Sequence, residues 1–145
     1  VIAYLDSSVL ARAYLADEAG HHEAAALMED GTVALVTGSW SRVEVSGALV
    51  RAARAGRADE AGLLALLDAD LGGGPVTIVT SEQGAIEARA LNLVREHGLR
   101  ARDAWHLAVA LLTLPRLAEP GEEMAFASRD RAQGAIAESL GLRPV

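Results

Sequence analysis

Val1-Ile2-Ala3-Tyr4-Leu5-Asp6-Ser7-Ser8-Val9-Leu10 opens the chain, and its reading decides the architecture. Apolar residues run without a break to a carboxylate, which predicts a buried strand over Val1 to Leu5 with Asp6 at its C-terminal edge. Val9, Leu10, Ala13 and Tyr14 follow at helical spacing, so the chain passes from strand to carboxylate to helix. The pattern then repeats. His21 to Met28 reads as a helix and Val33 to Thr37 as a second strand, with Gly38 and Ser39 as turn and cap. Val43, Leu49, Val50 and Ala53 share one face of a long helix that Gly56 closes, and Ala58 to Leu71 forms another. Gly72-Gly73-Gly74-Pro75 lacks the Gly-Lys-Ser/Thr of a phosphate loop and reads as a flexible connection. Val76 to Thr80 is a third strand, and Glu82 to His97 is a helix with Ile86, Ala90 and Leu93 inward. Ala101 to Leu114 is a helix with Ala104, Leu107, Ala108 and Leu111 on one face. Pro115 to Glu123 reads as a polar loop, Met124 to Ala127 as a fourth strand, and Arg131 to Leu140 as the last helix. Leu142 to Val145 leaves room for an edge strand. Strands alternating with helices predict an α/β fold, residues 1–145 forming one α/β/α sandwich around a mostly parallel sheet of four or five strands. In such sheets ligands bind beyond the C-terminal strand edges.

Composition narrows the chemistry. The chain has 145 residues, 51% of them hydrophobic and 3% aromatic, so alanine and aliphatic side chains carry the packing. The absence of cysteine excludes a disulfide scaffold, a thiolate metal site and a cysteine nucleophile. All 13 basic residues are arginine, which excludes Schiff-base chemistry and a phosphate-loop lysine. A net charge of -7 argues against a broad basic nucleic-acid face. No apolar stretch is long enough to cross a bilayer and the N-terminus lacks the regions of a signal peptide, so a cytoplasmic protein with no membrane partner is expected.

Four acids fall where the fold places chemistry. Asp6 and Asp130 each follow a strand and precede a helix. Either is explained equally by an N-cap. Glu44, within Ser41-Arg42-Val43-Glu44-Val45-Ser46, suits the start of a helix dipole. Asp103 opens Asp103-Ala104-Trp105-His106-Leu107-Ala108 and is also cap-compatible. If the four converge, their mutual repulsion calls for a cation.

In order, spacing and setting, these segments resemble the PIN-domain nucleases, from Leu5-Asp6-Ser7-Ser8-Val9-Leu10 through the helical Glu44 and the Asp103-Ala-Trp-His106-Leu-Ala helix to Ser128-Arg129-Asp130. The length and closing helix are most similar to VapC-type toxins of bacterial toxin–antitoxin pairs. The resemblance implies a metal-dependent endoribonuclease. Asp6, Glu44 and Asp103 would be its principal acids and metal ligands, Asp130 the fourth, and the Ser8 hydroxyl a support. Oxygen donors suit Mg²⁺ or Mn²⁺. It also implies an RNA substrate, a homodimer and a VapB-like antitoxin whose C-terminal segment covers the site. Attack by water implies a 5′-phosphate and a 3′-hydroxyl on the products.

Other residues carry two readings. His106 lies one turn after Asp103 and is either a ligand or, preferably, a structural hydrogen-bonding residue. His21 and His22 read as solvated, and His97 as a helix end. Trp40 and Trp105 either stack on bases or pack as bulky residues at helix starts. Arg51, Arg54 and Arg57 form a stripe, Arg100 and Arg102 flank Asp103, and Arg129 and Arg131 flank Asp130; these either are solvated or hold RNA phosphates. Leu10, Tyr14, Leu15, Leu27 and Met28 either belong to the core or line a groove for an antitoxin segment. Three rival functions stand beside the toxin: a PIN-type nuclease of RNA processing without an antitoxin, a non-catalytic binding module, and a phosphotransferase with Asp6 as nucleophile. The last would want an Asp where Ser8 stands, and a lysine.

Overall fold

The computed structural model describes residues 1–145. Five strands form one wholly parallel sheet in the order β3-β2-β1-β4-β5: β1 (Ile2–Leu5), β2 (Ala34–Gly38), β3 (Val76–Val79), β4 (Met124–Ala127) and β5 (Arg143–Pro144). The helices are α1 (Ser7–Tyr14), α2 (His21–Glu29), α3 (Trp40–Arg54), α4 (Glu60–Leu71), α5 (Gln83–His97), α6 (Ala101–Leu117) and α7 (Arg131–Ser139). From β1 the chain steps outward through β2 to β3, then returns past β1 to β4. The strand order therefore reverses between β1 and β4, and a crevice opens beyond their C-terminal ends. Asp6 and Asp130 follow those two strands.

Strand alternation splits the core. Ile2 and Tyr4 point into the cluster built with α5, α6 and α7, whereas Ala3 and Leu5 point into the cluster built with α1, α3 and α4. Tyr4 and Phe126 are register partners on β1 and β4, and their rings stack at 5.6 Å and 6°. Such a pair adds about 0.5–1.5 kcal/mol beyond its area. Helix α6 is buried along most of its length, and Ala104, Ala108 and Ala110 let it lie close to the sheet and α5. Leu10, Tyr14 and Leu15 are core residues, and Leu27 and Met28 pack against that core.

Local departures from the sequence reading have local causes. Helix α6 continues through Pro115 to Leu117 instead of ending at Leu114. Proline costs only the bond to the Leu111 carbonyl, and the Ala118 N–H closes the turn on Leu114 O at 2.9 Å. Glu82 and Asp59 stand outside their helices as caps, accepting backbone N–H groups of Gly84 and Ala85, and of Gly62. Ser39 precedes α3 without a side-chain cap bond. His21 is half-buried rather than solvated, and its Nδ1 donates to the Arg12 carbonyl at 2.8 Å.

Candidate active site

A pocket of about 250 Å³ at the β1/β4 crevice is lined by Asp6, Ser8, Arg100, Arg102, Asp103, Arg129 and Asp130, with no apolar residue among them. Each acid arrives there differently. Asp6 occupies the cap position of α1 but makes no side-chain cap bond, so its carboxylate is not taken up by the helix's backbone N–H groups. It is buried, and Oδ2 accepts from Ser8 Oγ at 2.7 Å. Ser8 Oγ in turn accepts the Arg129 N–H at 3.3 Å, tying the first turn of α1 to the β4–α7 turn. Asp130 does cap its helix, Oδ1 accepting from Ala132 and Gln133 N–H, with Oδ2 left over. Asp103 lies in the first turn of α6, where Arg100 is the cap. Burial, and then the nearby charges of Asp6 and Asp130, push its carboxyl above the usual range against the pull of Arg102 and Arg100.

Glu44 stands apart from that lining. Oε1 accepts from His106 Nε2 at 2.6 Å and Oε2 from Ser7 Oγ at 3.1 Å, while Arg102 Nε lies 3.3 Å from Oε2 and 3.8 Å from Asp103 Oδ1. Burial works to raise the Glu44 carboxyl, but the bond and charge of His106, Ser7 and Arg102 prevail and hold it below the ordinary value. An ionised Glu44 only accepts, so Nε2 of His106 carries a proton. The same nitrogen is 3.6 Å from Asp6 Oδ1, which places His106 between the two acids. The four acids are therefore divided: three face one pocket, and the fourth is engaged by His106, Ser7 and Arg102. No three Asp, Glu or His side chains converge closely enough to hold one ion.

Two positioning residues, Tyr4 and Gln133, escaped the sequence reading; His106, read there as a structural hydrogen-bonding residue, makes such bonds. His106 is fully buried, and its Nδ1 lies 2.8 Å from the Tyr4 hydroxyl, which also accepts the Gly38 N–H at 3.0 Å. Tyr4 is thus both a core ring and a polar post. Burial and the charge of Asp6 raise its phenol well above the ordinary value, so it remains protonated. Gln133, also fully buried, donates from Nε2 to the Asp103 carbonyl at 2.9 Å and accepts from Ser128 Oγ, joining α6 to the β4–α7 turn. A polar residue on the inner face of a helix was the available signal for Gln133. Nothing local marks the Tyr4 hydroxyl. Among the arginines, Arg57 is bound to Asp17 and Glu18, and Arg129 reaches Glu18 at 3.2 Å.

A family model described as PIN domain matches residues 3–114. The chain belongs to the PIN-domain family, whose fold is that of nucleases and whose members are generally metal-dependent. The match takes in Asp6, Glu44 and Asp103 and ends before Asp130. No curated protein matches the chain. No helix is long and apolar enough to cross a membrane.

The donor set fits the divalent cation that this family implies. The pocket offers carboxylate and hydroxyl oxygens, the hard donors Mg²⁺ and Mn²⁺ take. Asp103 is held above its ordinary value partly by neighbouring carboxylates, a repulsion a cation relieves. Mg²⁺ needs only one or two carboxylates and keeps several waters, so a three-ligand cage is not required.

Proposed function

We propose that this chain is a metal-dependent endoribonuclease, the toxin of a toxin–antitoxin pair. The observation that carries the nuclease reading is an anionic pit inside a cationic rim: Asp6, Asp103 and Asp130 with Arg100, Arg102 and Arg129 around one pocket at the strand-order reversal. A phosphodiester backbone matches both parts, since arginines take flanking phosphates while carboxylates serve the scissile one. Asp6 and Asp103, both buried, would hold Mg²⁺ or Mn²⁺, with Asp130 beside them. The cation, when bound, supplies a water of lowered pKa and neutralises charge at phosphorus. One of the pocket carboxylates would also accept the proton of the attacking water. Ser8 fixes the Asp6 carboxylate, and His106 fixes Glu44. Arg102, exposed and within reach of Glu44 and Asp103, is free to exchange that pairing for a phosphate.

Cleavage of single-stranded RNA in Mg²⁺ or Mn²⁺, its loss in EDTA and a 5′-phosphate product test this directly. Asp6→Asn should abolish it with the fold intact. Undiminished cleavage in excess chelator, leaving a 2′,3′-cyclic phosphate, would instead indicate metal-free acid–base chemistry. The toxin role adds a homodimer in the cytoplasm and a VapB-like antitoxin, one of whose arginines would reach Asp6 and Asp103 and displace the metal. Titration with the product of the adjacent gene separates it from a stand-alone RNA-processing nuclease: inhibition supports the toxin, indifference the stand-alone enzyme.

A further inference from the structure

Aromatic residues are scarce in this chain: two tryptophans, two tyrosines and one phenylalanine. Tyr4, Phe126 and Tyr14 are buried in the core. The tryptophans are used differently. Trp40, the first residue of α3, and Trp105, in α6, stack with centroids 4.3 Å apart and planes within 2°. Trp105 is the fixed member. It packs against the α5–α6 cluster and meets His106 edge-on at 5.2 Å. Its benzo ring lies over Gly38, where an added Cβ would come within 2.7 Å of it. Trp40 rests on Trp105 and remains 47% exposed, the more accessible of the two.

Beside the pair is a cavity of about 300 Å³, its polar lining including Ser39, Ser81, Gln83 and Glu87. That volume is at the small end for ligand sites, enough for one flat heterocycle. The lining contains Glu87 and no arginine, so it disfavours a phosphate. Gln83 donates to Glu87 Oε1 at 2.8 Å, which leaves the Gln83 carbonyl and the second Glu87 oxygen as acceptors. Acceptors beside an indole face suit a ring with N–H donors on its edge, and guanine presents two adjacent ones. The tryptophans also share helices with residues of the site. Trp40 is one turn before Glu44 on the same face of α3, and Trp105 is one turn after Arg102 on α6.

We propose that the Trp40–Trp105 stack and the cavity beside it bind one unpaired base of the substrate strand, preferentially guanine, adjacent to the scissile phosphate. The inference rests on the nuclease reading and gives it a specificity subsite. Stacking on an indole contributes through the π-face of any base, and the Gln83 and Glu87 acceptors add the preference for N–H donors.

The test uses the full chain carrying Asp6→Asn, titrated with short oligouridine RNAs that hold guanine, adenine, uracil or an abasic ribose at one position. Tryptophan fluorescence and anisotropy report binding. The guanine strand should bind tightest and quench the indole, with the abasic strand weakest. Trp40→Ala should weaken the guanine strand about 5- to 150-fold, the range of one base stack, and bring it level with the abasic strand. Trp40→Phe should recover most of the loss, and Glu87→Gln should narrow the gap between guanine and uracil. An unchanged affinity of Trp40→Ala for the guanine strand would overturn the subsite. So would a change in oligomeric mass with RNA binding untouched, which would make the tryptophan face a self-association surface. Cleavage by the chain with Asp6 intact keeps the two readings apart. If that chain cleaves RNA and Trp40→Ala cleaves guanine and abasic strands at unaltered rates, only the subsite falls. If it cleaves nothing in Mg²⁺ or Mn²⁺, the nuclease reading falls.

Discussion

Replacing Tyr4 by Phe removes one oxygen from the centre of the molecule, and the structure gives the size of the effect. The ring is fully buried, and its stack on Phe126 at 5.6 Å survives the change. Two polar groups lose their partner: the Gly38 N–H, now 3.0 Å from the hydroxyl, and His106 Nδ1, at 2.8 Å. An unsatisfied buried group costs about 1–3 kcal/mol, and burying Phe instead of a phenol returns part of that, so the net loss is about 2–4 kcal/mol. For a chain of this length each kcal/mol shifts Tm by about 3 °C, which predicts a fall of about 6–12 °C. Thermal unfolding followed by circular dichroism in chelator gives the number. Tyr14→Phe is the internal control: its hydroxyl donates to Asp70 at 2.8 Å in a half-buried setting where water can replace it, and it should cost less. A double-mutant cycle of Tyr4→Phe with His106→Ala should show coupling of about 0.5–3 kcal/mol. The proposed cleavage should also drop at temperatures where the variant is fully folded, because His106 no longer holds Glu44 in place. A Tyr4→Phe variant melting within about 2 °C of the parent would refute the argument that the hydroxyl is an obligatory post.

Asp103→Asn in chelator should raise Tm at neutral pH, because its folded carboxyl lies above its ordinary value and the ionised form is the disfavoured one. The unfolded chain releases its proton first as pH rises, so stability falls through that window. The advantage of Asn should therefore vanish on acidification below about pH 4, and a gain that persists there would point to another cause. Gln133→Leu should cost about 1–3 kcal/mol by removing two buried hydrogen bonds, to the Asp103 carbonyl and from Ser128 Oγ, and should lower cleavage more than a surface change of equal Tm effect; equal losses would make Gln133 merely structural. Gly38→Ala should destabilise by about 1–3 kcal/mol and alter tryptophan fluorescence, since its Cβ would come within 2.5 Å of the Tyr4 hydroxyl and 2.7 Å of Trp105. Unaltered emission would show that Trp105 is not seated there.

Much of this protein is local and therefore written in the chain. Apolar runs ending at Asp6, Thr37, Thr80 and Ala127 set the four longer strands, because a parallel strand buried on both faces needs such a run. Helical periodicity between them fixed the α/β class and directed attention to the C-terminal strand edges. The cap reading of Asp130 was local too, and the structure bears it out. The same reading was equally open for Asp6 and only the fold separated them, since a cap bond depends on where the side chain turns, not on residue type. Glu44, Asp103 and His106 sit on α3 and α6, and which of them meet depends on how those helices cross the sheet. That crossing gave Glu44 to His106, Ser7 and Arg102 instead of to a shared pit. Tyr4 and His106 are 102 residues apart, and no periodicity links them. The stack of Trp40 on Trp105 is likewise set by the approach of two helices over Gly38. Hydrophobic pattern acts between neighbours in sequence and is legible there. Hydrogen bonds and ring contacts act over a few ångströms between distant segments, so tertiary structure alone decides them.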